Sequence, residues 1–359
     1  MSNKNLYAAV ALLIFSLTGC ATPVTSSPQA SREEIAEESR LQKTMLFKDV
    51  IKSGDKLYNL SFPILASNAE LCGAKVAPSI GMTVWNIDSI EWGYHTVARE
   101  IYGLHSGLTV SYIADSSPAA RAGIHSGDLI MAVNGKPIPE GKEAIKLVKD
   151  EVKNSEYNKI RFDLERKGKI FVANVKPAPV CDYSVIYDPK STELNAWADG
   201  QNIFITKPII KFTENDSELA LIVSHELAHN VMSHIDKKVT NSMVGGLGGL
   251  AVDAILAGVG VSTGNQFSSL GQSLGVNAYS VEFEQEADYV GMYFMERARY
   301  SSKNVADFWR RLALESPENI TKRYTHPTSP ERYLAINRTY EEIKNKRARG
   351  LSLTPDRNH

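Results

Sequence analysis

The sequence predicts an α+β fold that combines a mainly helical domain, with a small β-sheet, and a separate β-rich module. Three observations predict this combination. An amphipathic helical pattern covers Glu34–Ile51, strand and turn patterns fill Gly107–Val175, and apolar helical stretches with histidines and carboxylates follow after residue 215. The helical stretches before and after the β-rich block therefore predict one domain with the block inserted into it.

The composition limits the classes of partner. With 359 residues, of which 43% are hydrophobic and 23% charged, the chain can bury a substantial core and is long enough for two or more domains. Its formal net charge is -1 and it contains no long basic block. A nucleic acid is therefore not an expected partner.

The N-terminus carries a targeting signal. The apolar run Leu6–Leu17 follows Lys4 and is too short for a stable membrane span. It leads into Leu-Thr-Gly-Cys, ending at Cys20, which resembles the lipobox of bacterial lipoproteins. The resemblance implies that residues 1–19 are cleaved off and that Cys20 is acylated, with palmitate among its chains, which gives a stable membrane anchor. Because Ala21 follows the cysteine instead of aspartate, it implies the bacterial outer membrane, facing the periplasm. An ordinary secretory signal with a chance cysteine is the alternative.

The segments after the signal are predicted in order from their composition. Residues 20–33 are small and polar, which predicts a flexible tether. Residues 34–98 are predicted to form the N-terminal helical part of the larger domain, with one helix to Ile51 and a second stretch to Ala66.

The β-rich block is predicted at residues 99–178, and its turns have a physical interpretation. Ser117 precedes a proline and predicts a short helix that ends at Gly123. Asn134 precedes a glycine and predicts a tight turn, and residues 160–175 alternate as a hairpin. These residues and their order resemble a bacterial PDZ domain.

The PDZ resemblance implies a peptide ligand, which would add as an extended strand to an edge of the sheet. The predicted peptide-binding loop consists of Gly107, Leu108, Thr109 and Val110. A small β-domain without a ligand is the alternative.

Two cysteines flank this block as if they joined the two ends of an insertion. In an oxidising periplasm we expect a disulfide between Cys72 and Cys181. Two buried free thiols are the alternative.

The motif with the clearest chemistry is His-Glu-Leu-Ala-His at residues 225–229. On a helix, His225 and His229 are four residues apart and face the same way, so they can share one divalent metal ion. Glu226 lies beside them, where its carboxylate can reach a water molecule next to the metal. The pattern by itself is also compatible with a helix that carries two surface histidines.

A zinc site of this type needs a third protein ligand. If the helix continues, His234 points about 140° away from His229, so we expect it to be structural and not a ligand. Glu284 and Asp288 are four residues apart on a later helix. One of them can bind zinc while the other holds a ligating histidine by its second ring nitrogen. Glu286 is expected on the solvated face of that helix.

Three motifs then combine: HELAH, EQEAD and THPTSPER. Together they resemble the HtpX and CAAX prenyl protease family of gluzincin zinc metalloendopeptidases, over about residues 195–336. The resemblance implies a zincin-type catalytic domain at residues 179–346 that binds one Zn²⁺ per chain. It implies His225, His229 and Glu284 as zinc ligands, Glu226 as general base and then acid, and Asp288 in contact with a ligand.

The same resemblance implies further site residues. His326 would stabilise the tetrahedral intermediate or, in a closed state, occupy the open zinc position; the sequence does not separate these roles. Arg332 completes the His-Pro-x-x-x-x-Arg element of the family. An edge strand would bind the substrate backbone in extended form, and it consists of Asn195, Ala196, Trp197 and Ala198. Trp197 replaces the phenylalanine that is usual there.

An apolar, glycine-rich segment separates the two metal-binding helices. Val244–Val261 is long enough to suggest a membrane span, but Asp253 in its middle would cost about 2.5–3.5 kcal/mol there. We expect residues 244–275 to form a helical hairpin over the active site that can touch lipid; a membrane span is the alternative. Residues 347–359 are predicted to be a C-terminal tail.

The sequence thus predicts a lipid-anchored zinc endopeptidase that captures extended or unfolded polypeptides through its PDZ domain and cleaves them in the periplasm. The alternative is a non-proteolytic or latent PDZ lipoprotein that acts as a scaffold or chaperone. The intact Glu226 favours the enzyme, because a purely structural zinc would gain nothing from it.

Overall fold

The structure is a computed structural model that describes residues 25, 27–237, 240, 281–315 and 330–356. The predictions for Cys20, for residues 244–275 and for His326 concern positions outside these described residues. The chain divides into two units, Met1–Thr44 and Met45–His359, and the three sheets of the described residues and the metal-binding helices belong to the second unit. No helix in the described part of the chain has both the length and the apolar character needed to cross a membrane.

The elements confirm the predicted α+β class. The helices are α1 (Arg32–Ser67), α2 (His95–Tyr102), α3 (Pro118–Arg121), α4 (Lys142–Lys153), α5 (Lys207–Phe212), α6 (Asp216–Val231), α7 (Val281–Arg297), α8 (Ala306–Glu315) and α9 (Pro330–Ala348). The strands are β1 (Val76–Ser79), β2 (Met82–Trp85), β3 (Thr109–Ile113), β4 (Leu129–Val133), β5 (Lys136–Pro137), β6 (Ile160–Arg166), β7 (Lys169–Val175), β8 (Ala178–Cys181), β9 (Ser184–Asp188), β10 (Ala196–Ala198) and β11 (Asn202–Thr206).

The N-terminal helical part is more continuous than predicted. Instead of two helical stretches, α1 is a single helix of 36 residues. Its start is fixed by a reciprocal cap, in which the Ser31 hydroxyl accepts from the Glu34 amide at 3.1 Å and the Glu34 carboxylate accepts from the Ser31 amide at 2.7 Å. Near its other end, Leu60 and Ile64 are buried in the core of the helical domain. The last turns of α1 thus belong to that domain.

The β-rich module is built on an antiparallel sheet with the strand order β2-β3-β4-β6-β7, and β5 pairs with β4. Its core is made of alternating inward residues such as Leu108, Phe162 and Leu164, packed under α4 through Val148. Because Met82 already belongs to this sheet, the predicted start of the module at residue 99 is too late. Within residues 34–98, the range assigned to the N-terminal helical part, Val76–Ser79 and Met82–Trp85 form the strands β1 and β2.

The predicted peptide-binding loop in this module is wrong. Gly107, Leu108, Thr109 and Val110 lead into and form the start of β3, which is an interior strand. Thr109 lies between Trp85 of β2 and Leu129 of β4, so both sides of the strand are already paired. The sheet edges among the described residues are β2 and β7. A local pattern could not show this, because the pairing of β2 with β3 joins segments that are distant in sequence.

The predicted disulfide is confirmed. Cys72 and Cys181 are bonded across a sequence separation of 109 residues, with their Cα atoms 5.6 Å apart. Val76 of β1 pairs with Cys181, the last residue of β8, in a short antiparallel ladder. The bond and this ladder together join the two ends of the β-rich module, where the chain leaves and re-enters the helical domain.

Reduction of this disulfide is expected to destabilise the protein strongly. In the chain-entropy description, a bond that closes a loop of this length contributes about 4.7 kcal/mol, because it restricts the unfolded chain. Urea unfolding with and without a reductant measures the effect. A variant with Cys72→Ser and Cys181→Ser is the control, because reductant should not change its stability. An unfolding midpoint that reductant does not move in the wild type would contradict this role.

The helical domain packs α6 against α7, and α9 also packs against α7. A three-stranded sheet with the order β10-β11-β9 lies beside α6, and β10 and β11 form an antiparallel hairpin. The second strand of this hairpin, β11, ends at Thr206. Pro208 lies in the first turn of α5, where its missing amide costs nothing, so the chain becomes helical there.

Candidate metal centre

The first two candidate ligands lie on α6, which is buried along most of its length. Asn215 caps the helix by accepting a hydrogen bond from the Glu218 amide at 3.1 Å. His225 and His229 lie one turn apart, and their Nε2 atoms are 3.1 Å from each other. The helical spacing predicted from the sequence therefore brings both imidazoles to one point.

The third candidate ligand comes from α7. Glu284 Oε2 lies 3.5 Å from His225 Nε2, and its Oε1 lies 3.4 Å from His229 Nε2. One ligand atom from each of these residues lies within 4.8 Å of the others, and all three side chains are buried. Two imidazole nitrogens and a carboxylate oxygen are donors that suit Zn²⁺, and three protein ligands leave a position for water or substrate. The residues therefore fit the zinc ion that the sequence predicts.

Asp288 contacts His225 on the side of the imidazole ring opposite the ligand atom. Its Oδ1 lies 2.9 Å from His225 Nδ1, on the side of the ring away from the ligand atoms. A carboxylate at this position orients the ring. Burial lowers the pKa of His225, but its bonds to Asp288 and Glu284 raise that pKa to about 9. A metal ion that binds to His225 must therefore displace a proton.

Arg332 connects the two carboxylates on α7. The buried guanidinium contacts Glu284 Oε2 through Nη1 at 2.8 Å, and Asp288 through Nε at 2.7 Å and Nη2 at 2.8 Å. Burial raises the pKa of Asp288, but Arg332 and His225 outweigh it and hold that pKa below its ordinary value. Asp288, Glu284 and Glu226 in turn raise the pKa of Arg332 against its burial. The arginine thus keeps Asp288 ionised.

Trp309 of α8 is a site residue that the sequence reasoning missed. Its ring packs edge-on against His225 at 5.6 Å between centroids, and the Arg332 guanidinium lies over it at 4.3 Å. A cation–π contact of this kind stabilises a buried guanidinium. No spacing rule connects Trp309 with the motifs, because it lies on a separate helix.

Gly291 is a second site residue that was not predicted from the sequence. It sets the distance between the metal-binding helices α6 and α7. A Cβ at this position would lie 3.0 Å from His225 N and 3.1 Å from His225 Cα. The backbones of α6 and α7 can therefore approach only because residue 291 has no side chain. Its spacing of seven residues from Glu284, on the same helix face, is a signal that could have found it.

The substitution Gly291→Ala is expected to push α7 away from α6 and to weaken zinc binding. Overpacking of this type typically costs about 1–3 kcal/mol of stability, and here the displaced backbone carries a ligand. Gly93→Ala is the matched control, because a Cβ there meets no heavy atom within 4 Å. Zinc affinity is measured by competition with a chromophoric chelator. Equal affinity in the Gly291→Ala variant and the wild type would show that the close approach is not needed.

His234 is close to the site, although not where the helical projection placed it. The helix α6 ends at Val231, and Ser233 has a φ of 54°, so the chain turns back. The His234 ring is buried behind His229, with the two Nδ1 atoms 3.0 Å apart. Burial lowers the pKa of His234, while Glu286 opposes that change. Its position away from the ligand atoms agrees with the predicted structural role, but the assumption of a continuing helix is wrong.

The predicted substrate strand is an edge strand. Among the described residues, β10 pairs only with β11, and it runs alongside the metal helix α6. Trp197 stacks on Phe204 of β11 at 4.9 Å. Asn230, directly after His229, accepts from the Gly200 amide at 2.7 Å and donates to the Asn202 carbonyl at 3.1 Å. The hairpin is thereby attached to the metal helix.

Glu226 completes the described part of the site. Its carboxylate is buried, and its charge contributes to the raised pKa of Arg332. The residue therefore lies within the same small group of charges as the candidate ligands. His326, the other predicted catalytic residue, lies outside the described residues.

Comparison with protein families agrees with this geometry. Residues 163–340 match the model of peptidase family M48, and residues 78–176 match that of the PDZ domain. The chain contains a domain of peptidase family M48 and a PDZ domain. The family resemblance predicted from the three motifs is confirmed, and the PDZ match begins close to β2, as the sheet indicates.

Curated relatives match parts of this M48 peptidase. The beta-barrel assembly-enhancing protease of Escherichia coli is 28% identical over 159 residues, which are 40% of this chain and 31% of that protein. The mitochondrial metalloendopeptidase OMA1 of Schizosaccharomyces pombe is 27% identical over 168 residues, which are 45% of this chain and 48% of that protein. The match thus spans about a third to a half of the length of these relatives.

A solved structure matches the PDZ part alone. The HtrA3 PDZ domain bound to a phage-derived ligand (FGRWV) is 23% identical, and the match covers 29% of this chain and 88% of that chain, with a TM-score of 0.22.

Proposed function

We propose that this protein is a zinc-dependent endopeptidase that hydrolyses peptide bonds of unfolded or misassembled envelope proteins. The observation that carries the proposal is the convergence of His225, His229 and Glu284 on one point, with the buried Glu226 among the same charges. An edge strand lies beside them. This combination supports a hydrolytic centre and not only a structural metal site.

The bound metal and the residues of the chain have separate roles in the proposed reaction. Zinc, when bound, supplies Lewis acidity that makes a neighbouring water more acidic and polarises the scissile carbonyl. Glu226 takes the proton from the attacking water and returns it to the leaving amine. Arg332 contacts Glu284 Oε2 at 2.8 Å and holds that carboxylate in place. By the family resemblance, His326 would act on the tetrahedral intermediate or close the site.

The strand β10 is proposed to bind the substrate backbone. A free strand edge offers main-chain donors and acceptors to any extended polypeptide, whatever its side chains. Because Asn230 attaches the hairpin to α6, a segment paired with β10 is held at a fixed position relative to the ligands. An unfolded chain can adopt this extended form, whereas a folded substrate cannot do so without opening.

The PDZ domain is proposed to capture peptides at β2, beside α4, instead of at the loop first predicted. Met82 and Val84 of β2 are half-buried and pack on the same core as Leu147 of α4. An outer strand next to a helix is the arrangement that strand addition requires. A peptide held there would raise the local concentration of substrate for the catalytic site.

The location is proposed from the N-terminus. Acylation of Cys20 would anchor the protein to the outer membrane, facing the periplasm. The disulfide supports an oxidising compartment, because such bonds rarely persist in the cytosol. The similarity to beta-barrel assembly-enhancing proteases also supports an envelope setting.

Incubation of the purified protein with unfolded β-casein tests the proposed activity. We expect cleavage with zinc, loss of cleavage with a chelator, and recovery when zinc is added back. A protein that binds zinc and β-casein but does not cleave it would refute the peptidase. That outcome would favour the scaffold or chaperone alternative.

A further inference from the structure

The second metal-binding histidine has a partner that the proposed mechanism does not use. The turn at Met232–Ser233 returns the chain so that the His234 ring packs edge-on against His229, with centroids 5.0 Å apart. On its other side, the ring stacks on Phe283 of α7 at 4.7 Å and 18°. Two elements therefore fix the plane of this buried imidazole.

The contacts form a line of three side chains that leads away from the metal site. His229 Nε2 faces Glu284, and its Nδ1 faces His234 Nδ1 at 3.0 Å. His234 Nε2 then lies 2.8 Å from Glu286 Oε2, and the Glu286 side chain is 43% exposed. The line thus starts at a metal ligand and ends at a carboxylate in contact with water.

Only one arrangement of protons satisfies these contacts when His229 binds a metal. The ligand atom Nε2 must then be free of its proton, so Nδ1 of His229 carries one and donates it. His234 Nδ1 must accept that hydrogen bond, so the proton of His234 is on Nε2. It is donated to Glu286, which as a carboxylate can only accept. Every nitrogen in the line has one defined role.

A carboxylate stands behind each of the two histidines. Behind His229, however, the imidazole of His234 lies between the ring and the carboxylate. Asp288 contacts His225 Nδ1 directly and is itself neutralised by Arg332. A second carboxylate placed directly behind His229 would be another buried charge that needs a partner. A neutral imidazole transmits the hydrogen bond and lets the carboxylate of Glu286 remain in solvent.

We propose that His234 and Glu286 are positioning residues that fix the tautomer and orientation of His229 for metal binding. This inference rests on the proposed zinc function, because it assigns the two residues a role toward the same ion. Neither residue contacts substrate; both act through His229.

Three variants test the proposal by zinc affinity, measured through chelator competition, and by the absorption spectrum of the Co²⁺-loaded protein. His234→Phe keeps the stacking on Phe283 but removes the acceptor, so we expect zinc binding to weaken about 10- to 100-fold and the Co²⁺ bands to shift. His234→Asn restores an acceptor near the Nδ1 position and should recover part of the affinity. Glu286→Ala should weaken binding less than His234→Phe does.

The control is Glu341→Gln, which changes an exposed carboxylate on α9 outside the site and should leave zinc affinity unchanged. A folded His234→Phe variant with wild-type zinc affinity and an unchanged Co²⁺ spectrum would overturn the proposal. If the His234→Phe variant does not fold, the Glu286→Ala variant is the test. Wild-type zinc affinity in Glu286→Ala would then also overturn the proposal. A wild-type protein that binds zinc but cleaves nothing would refute only the peptidase, whereas one that binds no zinc would refute both.

Discussion

Glu226→Gln is expected to lower the turnover number for β-casein by about 100- to 10,000-fold and to leave zinc binding intact. The amide has the shape of the carboxylate but cannot take a proton from water. Glu226 is not one of the three converging ligands, so its charge is not needed to hold the ion. Cleavage rates and the zinc content of the same purified samples measure both effects.

Glu218→Gln provides a matched control for this variant. Glu218 is also buried and lies on the same helix, but it pairs with Arg311 at 2.6 Å, away from the candidate ligands. Its substitution should alter stability and leave the cleavage rate per folded molecule unchanged. Wild-type turnover in Glu226→Gln would remove that residue from the mechanism. Loss of zinc from the variant would instead indicate that Glu226 helps to hold the ion.

Arg332→Met is expected to have the largest effect on stability. The guanidinium is the partner of two buried carboxylates, and removal of one member of such a group typically costs about 3–5 kcal/mol. Bound zinc should restore part of the lost stability, because the cation neutralises the charge of Glu284 but does not contact Asp288. Urea unfolding of the metal-free and zinc-loaded variant measures both the loss and the recovery.

The PDZ domain offers the matched control. Arg166 makes a similar bidentate pair with the buried Asp128, with Nε 2.6 Å from Oδ1 and Nη2 2.7 Å from Oδ2. Arg166→Met should also destabilise the protein, but zinc should not offset that loss beyond its effect on the wild type. If zinc stabilises both variants equally, the specific link between Arg332 and the metal site is wrong.

The local parts of the metal centre could be predicted from the sequence. The spacing of His225 and His229 fixes their common face, because helix periodicity is a local property. The position of Glu284 in the same site depended on the family resemblance, since it lies on a different helix. Trp309 and Gly291 were missed, because their roles exist only after separate helices have packed.

The predictions for His234 and for the PDZ peptide-binding loop failed because of the course of the chain. The projection of His234 assumed that α6 continues, but it ends at Val231, and neither Met232 nor Ser233 is a residue type that announces a helix end. The PDZ loop was placed one strand too late, because strand order depends on pairing between distant segments. The pattern around Thr109 identifies a strand correctly but does not show that β2 already occupies its outer side.

A zinc titration of the metal-free protein tests the central claim most directly. Zinc is added in steps, and the initial rate of β-casein cleavage is measured at each step. One site formed by His225, His229 and Glu284 predicts a rate that rises in proportion to zinc and reaches its plateau at one zinc per chain. A plateau at two or more zinc ions per chain, or a rate that does not respond to zinc, would contradict a single catalytic zinc held by these three residues.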